Sequence, residues 1–477
     1  MQTGWLVNPA TLMTTLSDYQ NKEILILGAG VTGLACAQSL SKRDAHITIV
    51  DEALVESNEF KVIGAQDVDV AKFDFVLVSP GWRESHPLIE KSRELGIPLL
   101  NEIDLAWSIK EERWPAQKWL ALTGTNGKTT TVEMTAAAIR AGGLTCIACG
   151  NVGTTVIESV DSVESFDVLV LELSSFQLHW LRRAEFMSAA ILNIADDHAD
   201  WHGSFDNYAK DKISILDRCM TAILNGQDSE VVTRTTHWNG RKVFYSLKTP
   251  GPGELGVVEE LLVDRAFVPD PMEAALIAQI DEIIPTVPHN VLNALAAAAL
   301  ARIVGIDHEA IRSALSKFTL GRHRVEVVSK KDDITWINDS KATNPHAASA
   351  SILSALSVIW IAGGLAKGAD VEELVIRAHP RLKAAILIGA DRDIFRAAFA
   401  QHAPDITLID IDPPSEYIRG SESNLFMESV VEAAAQIATA GDTVLLAPAC
   451  ASMDQFISYA DRGERYSRAV RKINNDE

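Results

Sequence analysis

The apolar run Trp119-Leu120-Ala121-Leu122-Thr123 breaks into Gly124-Thr125-Asn126-Gly127-Lys128-Thr129-Thr130, and this stretch constrains the chain more than any other. A buried strand that turns on two glycines into a helix leaves backbone N–H groups converging on one point, backed by the positive end of the helix dipole. That is a grip for phosphate. Lys128 adds a point charge for the outer phosphates, and the Thr129 hydroxyl is placed to take Mg2+. The loop is shorter than the general GxxxxGK[ST] pattern, so the generic motif matches only in part. The bland alternative is an ordinary strand-turn-helix connection with an exposed lysine. Strand, glycines, Lys and Thr in one stretch weigh against it.

At 477 residues the chain exceeds what one core supports, so two to three domains are expected. Its 64 acidic residues outnumber 43 basic ones, and the net charge of −21 disfavours nucleic acid as a partner. Any phosphate site must therefore be local. The five cysteines, Cys36, Cys146, Cys149, Cys219 and Cys450, are odd in number and scattered, which suits reduced thiols. Cys146 and Cys149 form a CxxC without a second pair or a neighbouring His, so zinc or redox chemistry is not expected there. Residues 1–20 lack a basic start followed by a long apolar core, and no later run is long enough to span a bilayer. A soluble cytoplasmic protein with no membrane insertion is the expectation.

Along the chain, an apolar strand at residues 23–27 leads into Gly28-Ala29-Gly30-Val31-Thr32-Gly33, and the next strand, 46–50, ends at Asp51. A GxGxxG in this setting seats a phosphate or pyrophosphate on a helix N-terminus, with the acidic residue free for a ribose or base edge. A third strand, 73–78, runs into Ser79-Pro80-Gly81. The first domain reads as a small doubly wound unit, and residues 110–117 as a linker. Beyond the phosphate loop come Gly150-Asn151-Val152-Gly153 and a strand, 167–171, closing on Glu172, where a Mg2+ ligand is wanted. A solvated strand end is the alternative. The strand 189–194 would deliver Asp196-Asp197-His198-Ala199-Asp200-Trp201-His202 to the same edge if the sheet is parallel, and a polar surface loop is the plainer reading. Lys212, in a helical pattern over 207–220, reads as solvated. Residues 233–270 form a β-rich excursion, and 291–304 an apolar, buried helix with Asn290 as its N-cap. A third α/β domain begins near Gly321, with strands at 335–337, 358–362, 385–388, 406–409 and 443–446.

Thr123-Gly124-Thr125-Asn126-Gly127-Lys128-Thr129, Glu172-Leu173-Ser174-Ser175-Phe176-Gln177, Asp197-His198, His289-Asn290, His323-Arg324 and Asn338-Asp339-Ser340-Lys341-Ala342-Thr343-Asn344 occur in an order that resembles the ATP-dependent Mur ligases over nearly the whole length. Residues 448–456, Pro-Ala-Cys-Ala-Ser-Met-Asp-Gln-Phe, are similar to the D-glutamate-adding branch. The resemblance implies an α/β protein of three domains. These are an N-terminal Rossmann-like domain for the UDP substrate (1–113), a central P-loop ATPase-like domain (114–320) and a C-terminal Rossmann-like amino-acid domain (321–477).

The same resemblance implies condensation of D-glutamate with UDP-MurNAc-L-alanine through an acyl phosphate, in peptidoglycan precursor synthesis and hence cell-wall biogenesis, cell shape and division. It makes Lys128, His198 and Lys212 catalytic. It gives ATP to Gly124, Thr125, Asn126, Gly127, Lys128, Thr129, Thr130, Asn290, Arg324 and Asp339. One Mg2+ falls to Thr129 and Glu172, and a second to His198 and a carbamylated Lys212. The UDP substrate would lie on Val31, Thr32, Asp51, Ser79, Gly81, Asn151 and Gln177, and D-glutamate on Thr343, Lys367, Ser452, Met453 and Tyr459. A monomer acting on small molecules is expected, with domain closure gating turnover.

Several positions depart from the family pattern. Asp51 is followed by Glu52 and Ala53, where relatives offer hydroxyl or basic contacts to uracil. Met453 and Tyr459 stand for a familiar leucine and phenylalanine, and Leu365-Ala366 makes the loop before Lys367 more apolar than usual. The rival readings are another Mur ligase, a folylpolyglutamate synthetase, a nicotinamide-dependent oxidoreductase using residues 28–33, and a protein that holds ATP without turning it over. The first-domain GxGxxG and the Ser452 segment argue against the synthetase and the other ligases. The oxidoreductase reading leaves Lys128, Glu172, His198 and Lys367 unemployed.

Overall fold

The computed structural model describes residues 16–52, 59–270, 272–421 and 423–475; the expectations for residues 1–15 and Ala53 lie outside them. Three sheets organise the described residues. The first comprises β1 (Glu23–Leu27), β2 (His46–Val50), β3 (Lys61–Ile63), β4 (Phe75–Val78) and β5 (Leu99–Leu100), all parallel in the order β3-β2-β1-β4-β5. Its central strands, EILIL and FVLV, are continuously apolar after the exposed Glu23 because helices and loops cover both faces. The chain reverses direction between β1 and β4, so the glycine turn after Leu27 and the Ser79–Gly81 turn share the crevice at the strands' carboxyl ends.

The second sheet contains β6 (Lys118–Thr123), β7 (Cys146–Gly150), β8 (Val168–Glu172), β9 (Ser188–Ile191), β10 (Thr221–Asn225), β11 (Arg241–Tyr245), β12 (Glu254–Val258), β13 (Leu261–Asp264) and β14 (Ala275–Gln279). Its order is β14-β13-β12-β11-β10-β9-β6-β8-β7, parallel from β7 to β12. The β-rich excursion is thereby explained. It supplies β11, β12 and β13, the first two parallel and the third antiparallel, and β14, just beyond residue 270, completes the meander at that edge.

The third sheet, β15 (Glu326–Lys331), β16 (Ile334–Asn338), β17 (Val358–Gly363), β18 (Leu382–Ile388), β19 (Thr407–Asp410) and β20 (Thr443–Leu446), runs β15-β16-β20-β17-β18-β19 with only β15 antiparallel. Because β20 lies between β16 and β17, the loops that follow these three strands are neighbours. One face buries Trp360 against Phe395 and Phe399, and the other buries Phe426, Val430 and Tyr466.

The described residues form two compact units: those up to Ile194 with Asp206–Ile283 and Leu292–Lys317, and Ala195–Phe205 with Ile284–Val291 and those from Phe318 on. The first two sheets therefore belong together, and buried carboxylates at the start of the helix Glu102–Arg113 stitch them. Asp104 accepts the backbone N–H groups of Arg182, Arg183 and Ala184 at 2.9, 2.8 and 2.9 Å. Glu102 accepts those of Val156 and Ile157 at 2.7 and 3.2 Å, and Asn101 donates to the Trp180 carbonyl at 2.8 Å. Burial pushes the Glu102 carboxyl up to about 7 in spite of these hydrogen bonds.

Four local expectations need correcting. The supposed linker at 110–117 is helical as far as Arg113: Lys110 donates to the Pro115 carbonyl at 3.2 Å and lies 4.6 Å from the Trp107 ring, so its charge is accommodated within the fold. Lys212, read as solvated, is 1% exposed. The helical pattern over 207–220 resolves into a helix, Phe205–Ile213, and a 3-10 turn, Ser214–Arg218. Asn290 is not an N-cap but lies inside the helix Pro288–Ile303, whose first turn begins at proline.

Candidate functional site

In the first unit, β6 ends where it is flanked by β8 and β9, so Gly124, Glu172 and Asn193 emerge at one edge. The helix begins at Lys128, and its N-cap is Gly127 at φ +82°. A Cβ on Gly127 would lie 2.6 Å from Asn293 Oδ1, so glycine is required on both counts. Asn193, not anticipated from the sequence, clamps the loop reciprocally. Its Oδ1 accepts the Asn126 N–H at 2.8 Å, and its Nδ2 donates to the Asn126 carbonyl at 3.0 Å. Thr129 and Thr130 are buried in the first helical turn.

Two ammonium groups converge on the same carbonyl. Lys128 Nζ donates to Gly124 O and Thr125 O, both at 2.9 Å, and Lys212 Nζ donates to Gly124 O at 2.8 Å and to Thr123 Oγ1 at 3.4 Å. Tyr208, one turn before Lys212 on the same helix, places its hydroxyl 2.9 Å from Thr125 Oγ1. Glu172, 1% exposed, is held through Oε1 by Asn151 Nδ2 at 3.1 Å, while its buried Oε2 has no hydrogen-bond partner among the described residues. A cationic loop beside an uncommitted buried carboxylate oxygen suits an anion and a hard cation together.

At the N-terminal crevice, Asp51 Oδ2 accepts the Ala29 N–H at 2.7 Å, which ties the end of β2 to the glycine turn. Val31 is 72% exposed and Thr32 half-buried beside it. Ser79 Oγ is buried and lacks a hydrogen-bond partner among the described residues, with Gly81 exposed two residues on. Gln177 stands apart from the other expected substrate contacts. Its Oε1 accepts from the N–H and the hydroxyl of Ser174 at 2.9 and 3.1 Å in a capping box, so its carbonyl is already used within the fold.

The second unit holds the remaining candidates. His198 adopts φ +53° and donates its backbone N–H to Asp197 Oδ1 at 3.0 Å; Asp197 Oδ2 also lies 3.5 Å from Asn344 Nδ2. Asn290 is 1% exposed and donates to the Pro285 carbonyl at 3.0 Å, with its Oδ1 unpaired among the described residues. Burial, with His346 nearby, pulls its neighbour His289 down to about 4, so that imidazole is neutral.

Asp339 is pushed up to about 6 by burial, against the Ser351 hydroxyl, the Val325 N–H and the Arg324 charge. Lys367 is exposed at φ +53° after β17, Ser452 is buried after β20, and Thr343 is half-buried after β16. Met453 is 57% exposed, and the Lys341 ammonium sits 3.9 Å from the centre of the Tyr459 ring. Arg462, also not anticipated, braces the loops after β16 and β20. Its fully buried guanidinium donates to Ser340 Oγ and O at 2.9 and 3.0 Å and to Cys450 O at 3.2 Å. Nothing in a one-residue Arg signal distinguishes it from a surface charge. Of the cysteines, burial raises Cys146 to about 12 and Cys149 further, consistent with inert thiols.

Three family models match the chain: a Mur ligase MurD-like N-terminal domain over residues 22–101, a Mur ligase middle domain over 122–301 and a Mur ligase glutamate ligase domain over 323–450. Among curated relatives, UDP-N-acetylmuramoylalanine--D-glutamate ligase of Streptomyces coelicolor is 41% identical over 476 residues, covering 96% of this chain and 99% of the relative. The enzyme of the same name from Thermobifida fusca is 43% identical over 474 residues, with 96% and 99% covered. Among solved structures, a pseudomurein peptide ligase type C from Methanothermus fervidus aligns with a TM-score of 0.59 at 20% identity, covering 95% of this chain and all of that one. UDP-N-acetylmuramate-alanine ligase from Thermotoga maritima gives 0.55 at 17% identity, with 96% and 100% covered. At such identities the two structures speak for the fold alone.

Proposed function

The chain belongs to the Mur ligase family, and from that premise we propose that it is the ligase that adds D-glutamate to UDP-N-acetylmuramoyl-L-alanine with ATP, in peptidoglycan precursor synthesis. The observation that carries this reading is the identity of 41–43% along nearly the whole length to two relatives that bear that name. We take the domains as 1–113, 114–320 and 321–477. A monomer working in the cytoplasm fits the small-molecule chemistry, and among the described residues no helix is long and apolar enough to cross a membrane.

Joining a carboxylate to an amine in water is unfavourable, so the muramoyl-alanine carboxylate is first converted to an acyl phosphate that the amine of D-glutamate then attacks. The carboxylate must approach the triphosphate against like charge, about 1 kcal/mol per unit pair at 4 Å in water and about 4 at an effective dielectric near 20. Lys128 and the N–H groups of residues 127–130 at the helix start bind and orient the outer phosphates and offset that repulsion, the N–H groups of Thr125 and Asn126 being bonded to Asn193. Asn290, Arg324 and Asp339 hold the rest of ATP.

The residues present fit Mg2+: the uncommitted Glu172 Oε2 and the Thr129 hydroxyl supply hard oxygen donors. His198 and a carbamylated Lys212 would hold a second ion. Bound there, Mg2+ supplies charge neutralisation between γ-phosphate and carboxylate. Carbamylation would also replace one of the two like charges on the Gly124 carbonyl by an opposite one. Val31, Thr32, Asp51, Ser79, Gly81, Asn151 and Gln177 orient the UDP substrate, and Thr343, Lys367, Ser452, Met453 and Tyr459 the amino acid. Lining up three ligands is worth as much as about 7–11 kcal/mol of the barrier.

The test is phosphate release with Mg-ATP and UDP-MurNAc-L-alanine, supplying D-glutamate, L-glutamate, L-alanine, meso-diaminopimelate or L-lysine in parallel. Stimulation by D-glutamate alone is expected. Stimulation by another amino acid would move the chain to a different branch of the family, and silence with all five would overturn the ligase reading.

A further inference from the structure

His179 lies near the end of the helix Ser175–Trp180 and is held from both sides. Its Nδ1 is 3.0 Å from Asp211 Oδ2, and its Nε2 is 3.3 Å from Glu84 Oε1. Asp211 belongs to the helix Phe205–Ile213, which presses Tyr208 and Lys212 onto the phosphate loop through Thr125 and Gly124. Glu84 belongs to the segment that follows the Ser79–Gly81 turn. Two residues before it, Trp82 donates its backbone N–H to Ser79 O at 3.1 Å and packs its ring against Gly28 of the glycine turn.

One imidazole thus joins the loop at the proposed sugar-nucleotide crevice to the helix that shapes the ATP loop, and the mechanism above makes no use of it. The charged groups that face it are Glu84 from the loop, Arg93 from the helix Pro87–Glu94 at 2.8 Å from Glu84, Asp211 from the Phe205 helix, and Arg182, whose guanidinium donates to the His179 carbonyl at 2.6 Å. Burial opposes charge on the ring, but the hydrogen bond to Asp211 and the opposite charges of Asp211 and Glu84 outweigh it and push His179 up to about 9. The pair of contacts is therefore charge-assisted at neutral pH.

We infer that His179 is a positioning residue that couples the two ligand loops, so that UDP substrate seated on the Ser79–Glu84 segment favours the arrangement of Lys212 and Tyr208 that receives ATP. The coupling is reciprocal: ATP tightens the UDP substrate by the same factor. This inference rests on the ligand assignments proposed above.

The experiment titrates a non-hydrolysable ATP analogue, with Mg2+, into the full-length protein by calorimetry, with and without saturating UDP-MurNAc-L-alanine. In the unaltered protein the second ligand should raise analogue affinity about fivefold or more, the lower end of common coupling energies. In His179→Gln the enhancement should fall below about twofold, while each ligand alone binds within about threefold of the unaltered protein. A role confined to packing would weaken each ligand alone and leave their ratio intact. Asp211→Asn, which keeps size and one acceptor oxygen, supplies an independent break and should lose the enhancement likewise. Enhancement that survives both substitutions, or binding of both ligands without any enhancement, overturns the inference and leaves the ligase reading standing. If the unaltered protein binds neither ligand, that reading falls and the inference with it.

Discussion

At the N-terminal glycine turn a loop N–H, that of Ala29, donates to the carboxylate of Asp51; at the phosphate loop the corresponding turn offers its Gly124 carbonyl to two lysines, and its Asn126 N–H goes to a neutral amide. Both are parallel strands that break on glycine into a helix, and both sit where the strand order reverses. What differs is the sign of the side chains that arrive from elsewhere. Glycine spacing describes the path of the backbone, while the local field is set by residues distant in sequence, Asp51 in one case and Lys212 in the other. A turn with a carboxylate already on its amide suits hydrogen-bond donors of a ligand, such as ribose hydroxyls or the uracil ring N–H. A turn ringed by ammonium groups suits a triphosphate.

The strongest challenge to this contrast is Lys128→Ala. Loss of one preorganised charge from the phosphate loop should lower kcat by about 100-fold or more, as removal of a single transition-state donor does elsewhere. The melting temperature should stay within about 4 °C, since little packing is lost. Turnover near that of the unaltered protein would show that the loop's charge is incidental.

Asp51→Asn is expected to raise the KM for the UDP substrate by about tenfold, equivalent to one charge-assisted hydrogen bond of about 1.4 kcal/mol, and to leave the KM for ATP unchanged. A shift in the ATP value instead would mean that the two turns do not divide the ligands as argued.

The backbone side of the comparison is tested by two alanines measured without ligand. Gly127→Ala forces a left-handed residue and a contact with Asn293, and should destabilise by about 1–2 kcal/mol in chemical denaturation. Gly30→Ala, at φ −74° with nothing within 4 Å of the new Cβ, should change stability by less than about 1 kcal/mol. Equal losses would show that the two turns are under the same steric constraint.

The smallest effect concerns the joint between the two sheets. Glu102 titrates near 7 in the fold against 4.5 as its ordinary value, so the folded state takes up its proton more readily than the unfolded chain. Its stabilising contribution is complete below about pH 4.5 and is lost as pH rises through about 7. Glu102→Gln should therefore gain stability relative to the unaltered protein between pH 5 and 8, by on the order of 1 kcal/mol, in thermal melts taken across that range. A constant difference across the series would place the charge elsewhere.

Much of this was legible in advance for a physical reason. A strand, two glycines, Lys and Thr within twelve residues constrain one another locally, and the strands of doubly wound sheets announce themselves as short apolar runs. The loops at 338–344, 363–368 and 447–452 were legible as a group, and the order β16-β20-β17 makes them neighbours. Lys212 was not legible from periodicity. Its burial depends on Gly124 and Thr123, nearly ninety residues earlier, and only the family resemblance singled it out. Asn193, Arg462 and His179 share that difficulty, since each acts through partners supplied by other strands and helices. Asn290 misled because an amide before an apolar helix is the ordinary N-cap signal, whereas Pro288 had already begun the helix.

The grip of Asp104 on three consecutive amides bears on how the chain can be divided by evolution or by design. A natural cut between the first and second sheets would fall near residue 114, yet Asp104 is riveted to 182–184 and Glu102 to 156–157, a loop and a helix start that lie between strands of the second sheet. The N-terminal sheet is consequently not an exchangeable module. A chimera that imports the sugar-nucleotide sheet of a relative must import the matching 156–157 and 182–184 segments as well, or leave two buried carboxylates facing amides that no longer meet them.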